Sequence, residues 1–337
     1  MKIIVLGGSG VTGQLVRHYL ADTNWQVDYC SRSESNDPNH RRLDLLGPRS
    51  KVMDALGEYD WAVSCIGPFE KWLAKVARLC VDAGTNYIDI NDSIDARQAI
   101  LSVPAKESGV VVVTGAGLCP GISTALLMSQ SEKPVEKIQA VLRIGSGQPA
   151  GAASVQSMFE TMHGGYRILE AGEIQQKEHP DQVGDLVGYE CPDVSSVSAI
   201  FPTVRDYSYQ VEFAALNAKT IHYLQSKRIF TLPGISRWLA KKASKGVTSK
   251  ALEAGDPKPA NLEITMQTSD EQIIASVKGL TSYQFTALSA ATCLQKLAAD
   301  DLAPGTYEIA QLPETCELLL QSCKNHGADV SIVSHSL

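Results

Sequence analysis

Seven residues near the start, Gly7-Gly8-Ser9-Gly10-Val11-Thr12-Gly13, set Gly8, Gly10 and Gly13 at the spacing G-x-G-x-x-G. Glycine at those positions lets the chain turn sharply, lets backbone approach an anion without a Cβ in the way, and lets a following helix pack close to the preceding strand. A helix opening there would aim free N–H groups and a partial positive charge at a pyrophosphate. The residues that would read the adenosine ribose come about 20 positions later, where a carboxylate suits a 2′-hydroxyl and an arginine suits a 2′-phosphate. The chain has Ser31-Arg32-Ser33 there, a guanidinium between two hydroxyls. That grouping favours NADP(H) over NAD(H), with Asp28 or Glu34 as the carboxylate in the NAD(H) alternative.

Two further segments have the character of strand ends lining such a crevice. Cys65-Ile66-Gly67-Pro68 offers backbone to a ribose and nicotinamide. Asp89-Ile90-Asn91-Asp92-Ser93 offers carboxylates that would either position a substrate or cap the next helix.

Positioning these groups requires strands that stop where the motifs begin. Ile3 to Leu6, Trp25 to Cys30, Trp61 to Ile66, Tyr87 to Ile90 and Val110 to Val113 are short, apolar and rich in β-branched residues, as strands buried on both faces are. Between them, Leu15, Val16, Tyr19 and Leu20 form one helical stripe and Leu73, Val76, Ala77 and Cys80 another, with Gly84 placed as a left-handed cap. A further helix is expected from Ile122 to about Gln130. Strands alternating with helices imply an α/β fold with a doubly wound parallel sheet. Beyond Val135 the texture changes. Ile138 to Ile144 reads as a strand, Gly172 to Pro202 as loops with short strands, Leu262 to Thr268 and Gln272 to Val277 as an antiparallel pair, and Tyr283 to Ala299 as a long helix.

Composition narrows the classes. The chain of 337 residues is 44% hydrophobic and 20% charged, which fits globular domains and not disorder. Its 30 basic against 37 acidic residues give a net charge of -7, so no global positive field draws it to nucleic acid. The cluster Arg237, Lys241, Lys242 and Lys245 reads as a solvated helix face in preference to a membrane contact. Eight cysteines without metal-ligand spacing read as reduced thiols, with no metal site. No signal peptide or membrane-spanning run is visible, so a cytoplasmic protein without integral membrane contact is expected.

The order of Gly7 to Gly13, Ile66-Gly67-Pro68-Phe69, Cys80-Val81-Asp82-Ala83-Gly84-Thr85-Asn86-Tyr87-Ile88-Asp89 and Gly115-Ala116-Gly117-Leu118-Cys119-Pro120-Gly121 resembles the saccharopine dehydrogenase family, with a weaker echo at Leu302 to Tyr307. The resemblance covers about the first 125 residues closely and the region from about 150 to 280 only in outline. It implies a Rossmann-like domain of residues 1–120 and 284–337, interrupted by a mixed α/β domain of residues 121–283 that shapes a substrate cleft and a homodimer interface. It also implies hydride transfer at a C–N bond of an amino-acid or opine-like substrate, with Asp92 at the place of a carboxylate near the cleft. Asn91-Asp92-Ser93 departs from the Gly-Glu pair of the family's lipid enoyl reductases, which argues for amine chemistry. A protein that binds NADP(H) as a sensor or scaffold, and an enoyl reductase, stand as alternatives.

Reducing an imine needs a proton donor and cationic groups for carboxylates. His163 and Tyr166 are the candidate donors in the second domain, with His222 more remote, and Arg143 and Arg167 are candidate clamps. Cys119 reads as a core thiol, having no partner base in the sequence.

Overall fold

The computed structural model describes residues 1–148, 155–156, 165–177, 182–213, 219 and 257–337. The chain divides into two compact units, Met1–Ile122 with Tyr283–Leu319, and Ser123–Ser282 with Leu320–Leu337.

In the first unit, β1 (Lys2–Leu6), β2 (Gln26–Ser31), β3 (His40–Arg42), β4 (Trp61–Ser64), β5 (Asn86–Asp89), β6 (Val111–Thr114) and a late strand, Gly305–Glu308, form a sheet ordered late strand, β6, β5, β4, β1, β2, β3. Every pairing in it is parallel. The five apolar runs read from the sequence are all strands. Helix α1 (Val11–Tyr19) buries Val16, with Leu20 buried just past its end, and α3 (Phe69–Ala83) buries Leu73, Val76, Ala77 and Cys80, so both stripes face the sheet. At roughly 1.5–3 kcal/mol per fully buried aliphatic side chain, such a stripe outweighs helix propensity as the force holding α3. Gly84 ends α3 with φ 76°, the left-handed cap its position predicts. Between β1 and β3 lie α1 and the first two crossovers. After α2 (Arg49–Leu56) the chain crosses to the other side of β1, so the strand order reverses between β1 and β4. Ligands in open α/β sheets bind at such a switch point, beyond the carboxyl ends of the strands.

The second unit holds a sheet of nine strands. β7 (Lys137–Ile144) pairs in parallel with β12 (Asp206–Phe213) and antiparallel with β13 (Asn261–Gln267), which continues into β14 (Glu271–Lys278). Alternation in β13 and β14 buries Leu262, Ile264, Met266, Ile273, Ala275 and Val277 on one face. The part read as loops with short strands, Gly172 to Pro202, contains β9 (Glu173–Lys177), which forms a hairpin with the preceding β8 (Tyr166–Glu170), then the short β10 (Gln182–Val183) and β11 (Leu186–Gly188). Residues 320–337, expected with the first domain, group with the second. The cause is Asp329–Ser336, which is a strand fully paired with β14 and not an end returning to the parallel sheet.

Candidate active site

Four loops meet at the carboxyl edge of the parallel sheet around the switch point. The first is the glycine loop. Gly10 donates its N–H to the Gly7 carbonyl at 2.9 Å and starts α1 with no side-chain cap and no acidic residue in the first turn. An uncapped helix start leaves N–H donors for an anion. A Cβ at Gly13 would stand 2.5 Å from the Gly7 carbonyl oxygen and 2.6 Å from the Gly8 Cα, so only glycine lets α1 sit this close to β1. These are the features a pyrophosphate cradle needs. Gly7, Gly8, Ser9, Gly10, Val11, Thr12 and Gly13 thus stand together as the sequence placed them.

The second loop follows β2. Ser31 shares a hydrogen bond of 2.9 Å with His40 Nε2 and reaches the Ser33 carbonyl at 3.1 Å. The β2–β3 register sets Cys30 beside Arg41 and Ser31 beside Arg42. Arg32 is exposed and makes no hydrogen bond or ion pair among the described residues. Arg42 pairs with Glu34, and Arg41 with the buried Asp28, which also accepts from the Tyr59 hydroxyl at 2.6 Å. Asp28 is therefore committed to a buried polar network and Glu34 to Arg42. Sequence reasoning missed β3. The run His40-Arg41-Arg42 carried the only signal, a basic triplet close to the expected ribose end, and it has no apolar pattern.

The third loop, after β4, lies beside the first: a Cβ at Gly7 would meet the Cys65 carbonyl oxygen at 3.1 Å and Ile66 Cγ1 at 3.3 Å. Cys65, Ile66 and Gly67 are partly exposed there, Pro68 is buried, and the Gly67–Pro68 peptide is cis. Burial, then the nearby Asp89 charge, pushes the Cys65 thiol up to about 12.

The fourth element joins the ends of β5 and β6. Asp89 is fully buried, and one of its oxygens accepts from the Asn91 N–H at 3.0 Å, the Gly115 N–H at 3.0 Å and the Thr114 hydroxyl at 2.9 Å. Its other oxygen, Ser64 Oγ and Tyr87 Oη are buried together, and the Tyr87 hydroxyl interacts with both Ser64 and Asp89. Burial pushes the Asp89 carboxyl up to about 6, against the pull of the N–H donors of Gly115 and Asn91. Asp89 is thus a positioning residue for two site loops. Of the alternatives left open for this segment, Ser93 takes the cap, its Oγ accepting from the Ala96 N–H at 3.3 Å, and Asp92 stays half-buried at the edge. Past β6 the chain folds back on itself. The Gly117 N–H reaches the Pro120 carbonyl at 3.0 Å, and a Cβ at Gly121, φ 118°, would lie 2.1 Å from the Gly117 carbonyl oxygen.

The raised Asp89 carboxyl has a stability consequence whose sign is fixed. The folded protein binds the proton more tightly than the unfolded chain, so this contribution favours folding below about pH 4 and is lost as pH rises through about 6. The difference is on the order of 3 kcal/mol. In Asp89→Asn the amide oxygen keeps the three donors and the amide nitrogen replaces the oxygen beside the Tyr87 hydroxyl. Its unfolding free energy relative to wild type should rise between about pH 4 and 7, as read by denaturant titration across that range. A difference that stays flat with pH would rule this out.

No protein-family model matches the sequence, and no curated protein matches it. Solved structures do. Apo saccharopine dehydrogenase (L-Glu forming) from Saccharomyces cerevisiae superposes over 100% of this chain and 99% of its own, with a TM-score of 0.67 at 10% identity. It has the fold of saccharopine dehydrogenase. A meso-DapDH mutant with DAP from Clostridium tetani matches over 94% of this chain and 95% of its own, with a TM-score of 0.51 at 14% identity.

Within this saccharopine dehydrogenase-like fold, the remaining sequence candidates fall in the second unit. Tyr166 is buried with its ring against Gly188, where a Cβ would meet the ring at 2.5 Å. Arg167 forms a two-pronged ion pair with Glu190, both contacts 2.8 Å, which commits its guanidinium. Arg143 is half-exposed and 3.5 Å from Glu212. His163, His222 and the basic segment from Arg237 to Lys245 lie outside the described residues. Among the described residues no group of three or more His, Cys, Asp or Glu is placed to hold a metal, and no helix is long and apolar enough to cross a membrane. All eight cysteines stand outside any disulfide, and six of them are buried.

Proposed function

We propose that this protein is an NADP(H)-dependent oxidoreductase that moves a hydride at a carbon–nitrogen bond of an amino-acid or opine-like substrate, working in the cytoplasm as a homodimer. The observation that carries the reading is the glycine loop opening an uncapped helix at the switch point of the parallel sheet, with Arg32 exposed and unpaired among the described residues at the ribose end. A bound nicotinamide cofactor would supply or accept the hydride. The N–H groups at the start of α1 hold the pyrophosphate. Ser31, Arg32 and Ser33 hold the 2′-phosphate, and the backbone from Cys65 to Pro68 borders the ribose and nicotinamide. Asp92 is the best-placed proton donor on the first unit, since Ser93 relieves it of capping. His163 and Tyr166 are the donors proposed from the second, and Arg143 is a better carboxylate clamp than Arg167, since its one contact with the half-exposed Glu212 is 3.5 Å whereas Arg167 is held at two points by the buried Glu190. Two dehydrogenase folds of the same layout, one named for saccharopine and one crystallised with DAP, support the substrate class.

Titration of the protein with NADPH and NADH, followed by turnover against paired keto acids and amino acids, tests this. NADPH should bind more tightly, and at least one pair should consume its absorbance. Failure to bind either nucleotide defeats the reading; tight binding without turnover of any pair leaves the sensor, and turnover of enoyl substrates alone leaves the lipid reductase.

A further inference from the structure

The last strand of the second sheet, β16 (Asp329–Ser336), lies at the sheet's edge: β14 takes one side in full register, and no described strand pairs with the other. Edge strands are ordinarily protected by charge, proline or a covering element. The β8–β9 hairpin off the same sheet carries Glu173 and Lys177 on β9, and β3 at the edge of the parallel sheet carries Arg41 and Arg42. From Val330 to Ser334, by contrast, β16 has no charged residue and no proline or glycine. Among the described residues its middle is also exposed on both faces. Ile332, in register with the buried Ala275 on the core face, is 41% exposed, and Val333 on the opposite face is 44% exposed.

We propose that β16 is the joint of a homodimer, pairing antiparallel with β16 of a second copy so that the two sheets run on as one. The occupant follows from the strand's own charges. A two-fold axis normal to the sheet keeps each residue on its face, so facing residues must have numbers of even sum. Centring the pair on Ile332 puts Asp329 opposite the partner's His335 at both ends, Val330 opposite the partner's Ser334, and Ser331 opposite the partner's Val333. Shifting the centre to Ser331 or Val333 loses both Asp–His pairs. In the chosen register the imidazole of His335 can donate a hydrogen bond to the facing Asp329, which also lies 3.2 Å from Lys278 of its own chain, and the two Ile332 side chains meet on the core face. The inference rests on the homodimer of the proposed function and names its surface.

Sedimentation and cross-linking of the full chain test it. Facing Cα atoms in an antiparallel pair are about 4.5–5.5 Å apart, within disulfide reach. Oxidised Ile332→Cys should therefore form a covalent dimer, and Val330→Cys should not. Ile332→Lys sets like charges face to face and should raise the dimer dissociation constant about tenfold or more, with its far-UV circular dichroism unchanged. Asp329→Lys alone should weaken the dimer, and adding His335→Glu should restore it. A dimer untouched by Ile332→Lys, or by Asp329→Lys, or cross-linked as readily through position 330, overturns the joint and leaves the homodimer standing. A wild-type chain that stays monomeric at every concentration overturns both, without bearing on nucleotide binding or turnover.

Discussion

Arg32→Ala should weaken NADPH binding roughly 10- to 100-fold and leave NADH binding within about twofold, as read by titrating both nucleotides against wild type and variant. Hydrogen bonds to a charged partner contribute about 1.5–3 kcal/mol, which sets the size of the loss. Arg17 is held by Asp37, and the three arginines that follow β2 or lie on β3 are not equivalent. Arg41 balances the buried Asp28, and removing it would strand a carboxylate in the interior. Arg42 is held by Glu34 on the surface, a pair of little net value. Among the described residues Arg32 has no anionic partner, which leaves it available to the proposed 2′-phosphate. Its loss should therefore act on cofactor choice and not on folding. If NADPH and NADH lose affinity together, Arg32 works on the shared pyrophosphate, and the NADP(H) assignment fails.

How much of this was legible beforehand depends on whether a signal is local. The strands of the parallel sheet announce themselves because burial on both faces demands uninterrupted apolar runs, as in Ile3 to Leu6 and Val111 to Val113. The glycine loop is legible for the same reason: its constraint is steric and lies within seven residues. Edge strands escape that logic. His40–Arg42 and Asp329–Ser336 are partly or wholly exposed, so no apolar pattern was imposed on them, and the domain boundary at the C-terminus was misplaced with the second of these. Long-range polar contacts are invisible in order along the chain. Arg167 looked like a free clamp until Glu190, 23 positions on, was found against it. Asp28 looked like a ribose ligand until Arg41 and Tyr59 were found on it. Asp89, set aside in favour of Asp92 as the candidate carboxylate, shows its structural part only in the bonds from Thr114 and Gly115.

Two glycines of the same motif should fail in different ways, and the difference separates what the fold needs from what the cofactor needs. Gly13→Ala places a methyl group 2.5 Å from the Gly7 carbonyl oxygen and 2.6 Å from the Gly8 Cα, both backbone atoms that no rotamer can clear. Alanine would gain roughly 1 kcal/mol of helix propensity over glycine. Forcing α1 off β1 costs about 3 kcal/mol or more, so the clash wins and the variant should melt well below wild type. Gly10→Ala meets only the Gly7 carbonyl oxygen, at 3.3 Å, from a backbone with φ -75° and ψ 167° that alanine adopts freely. The fold should absorb it within about 1 kcal/mol. The added methyl group nonetheless sits at the mouth of the helix, where the pyrophosphate must approach, so NADPH and NADH should both lose about tenfold or more in affinity. Thermal melts with paired nucleotide titrations distinguish the two. A Gly10→Ala protein that binds both nucleotides like wild type would show that the anion does not lie against this helix start, and the cofactor site would have to be sought elsewhere on the sheet's edge.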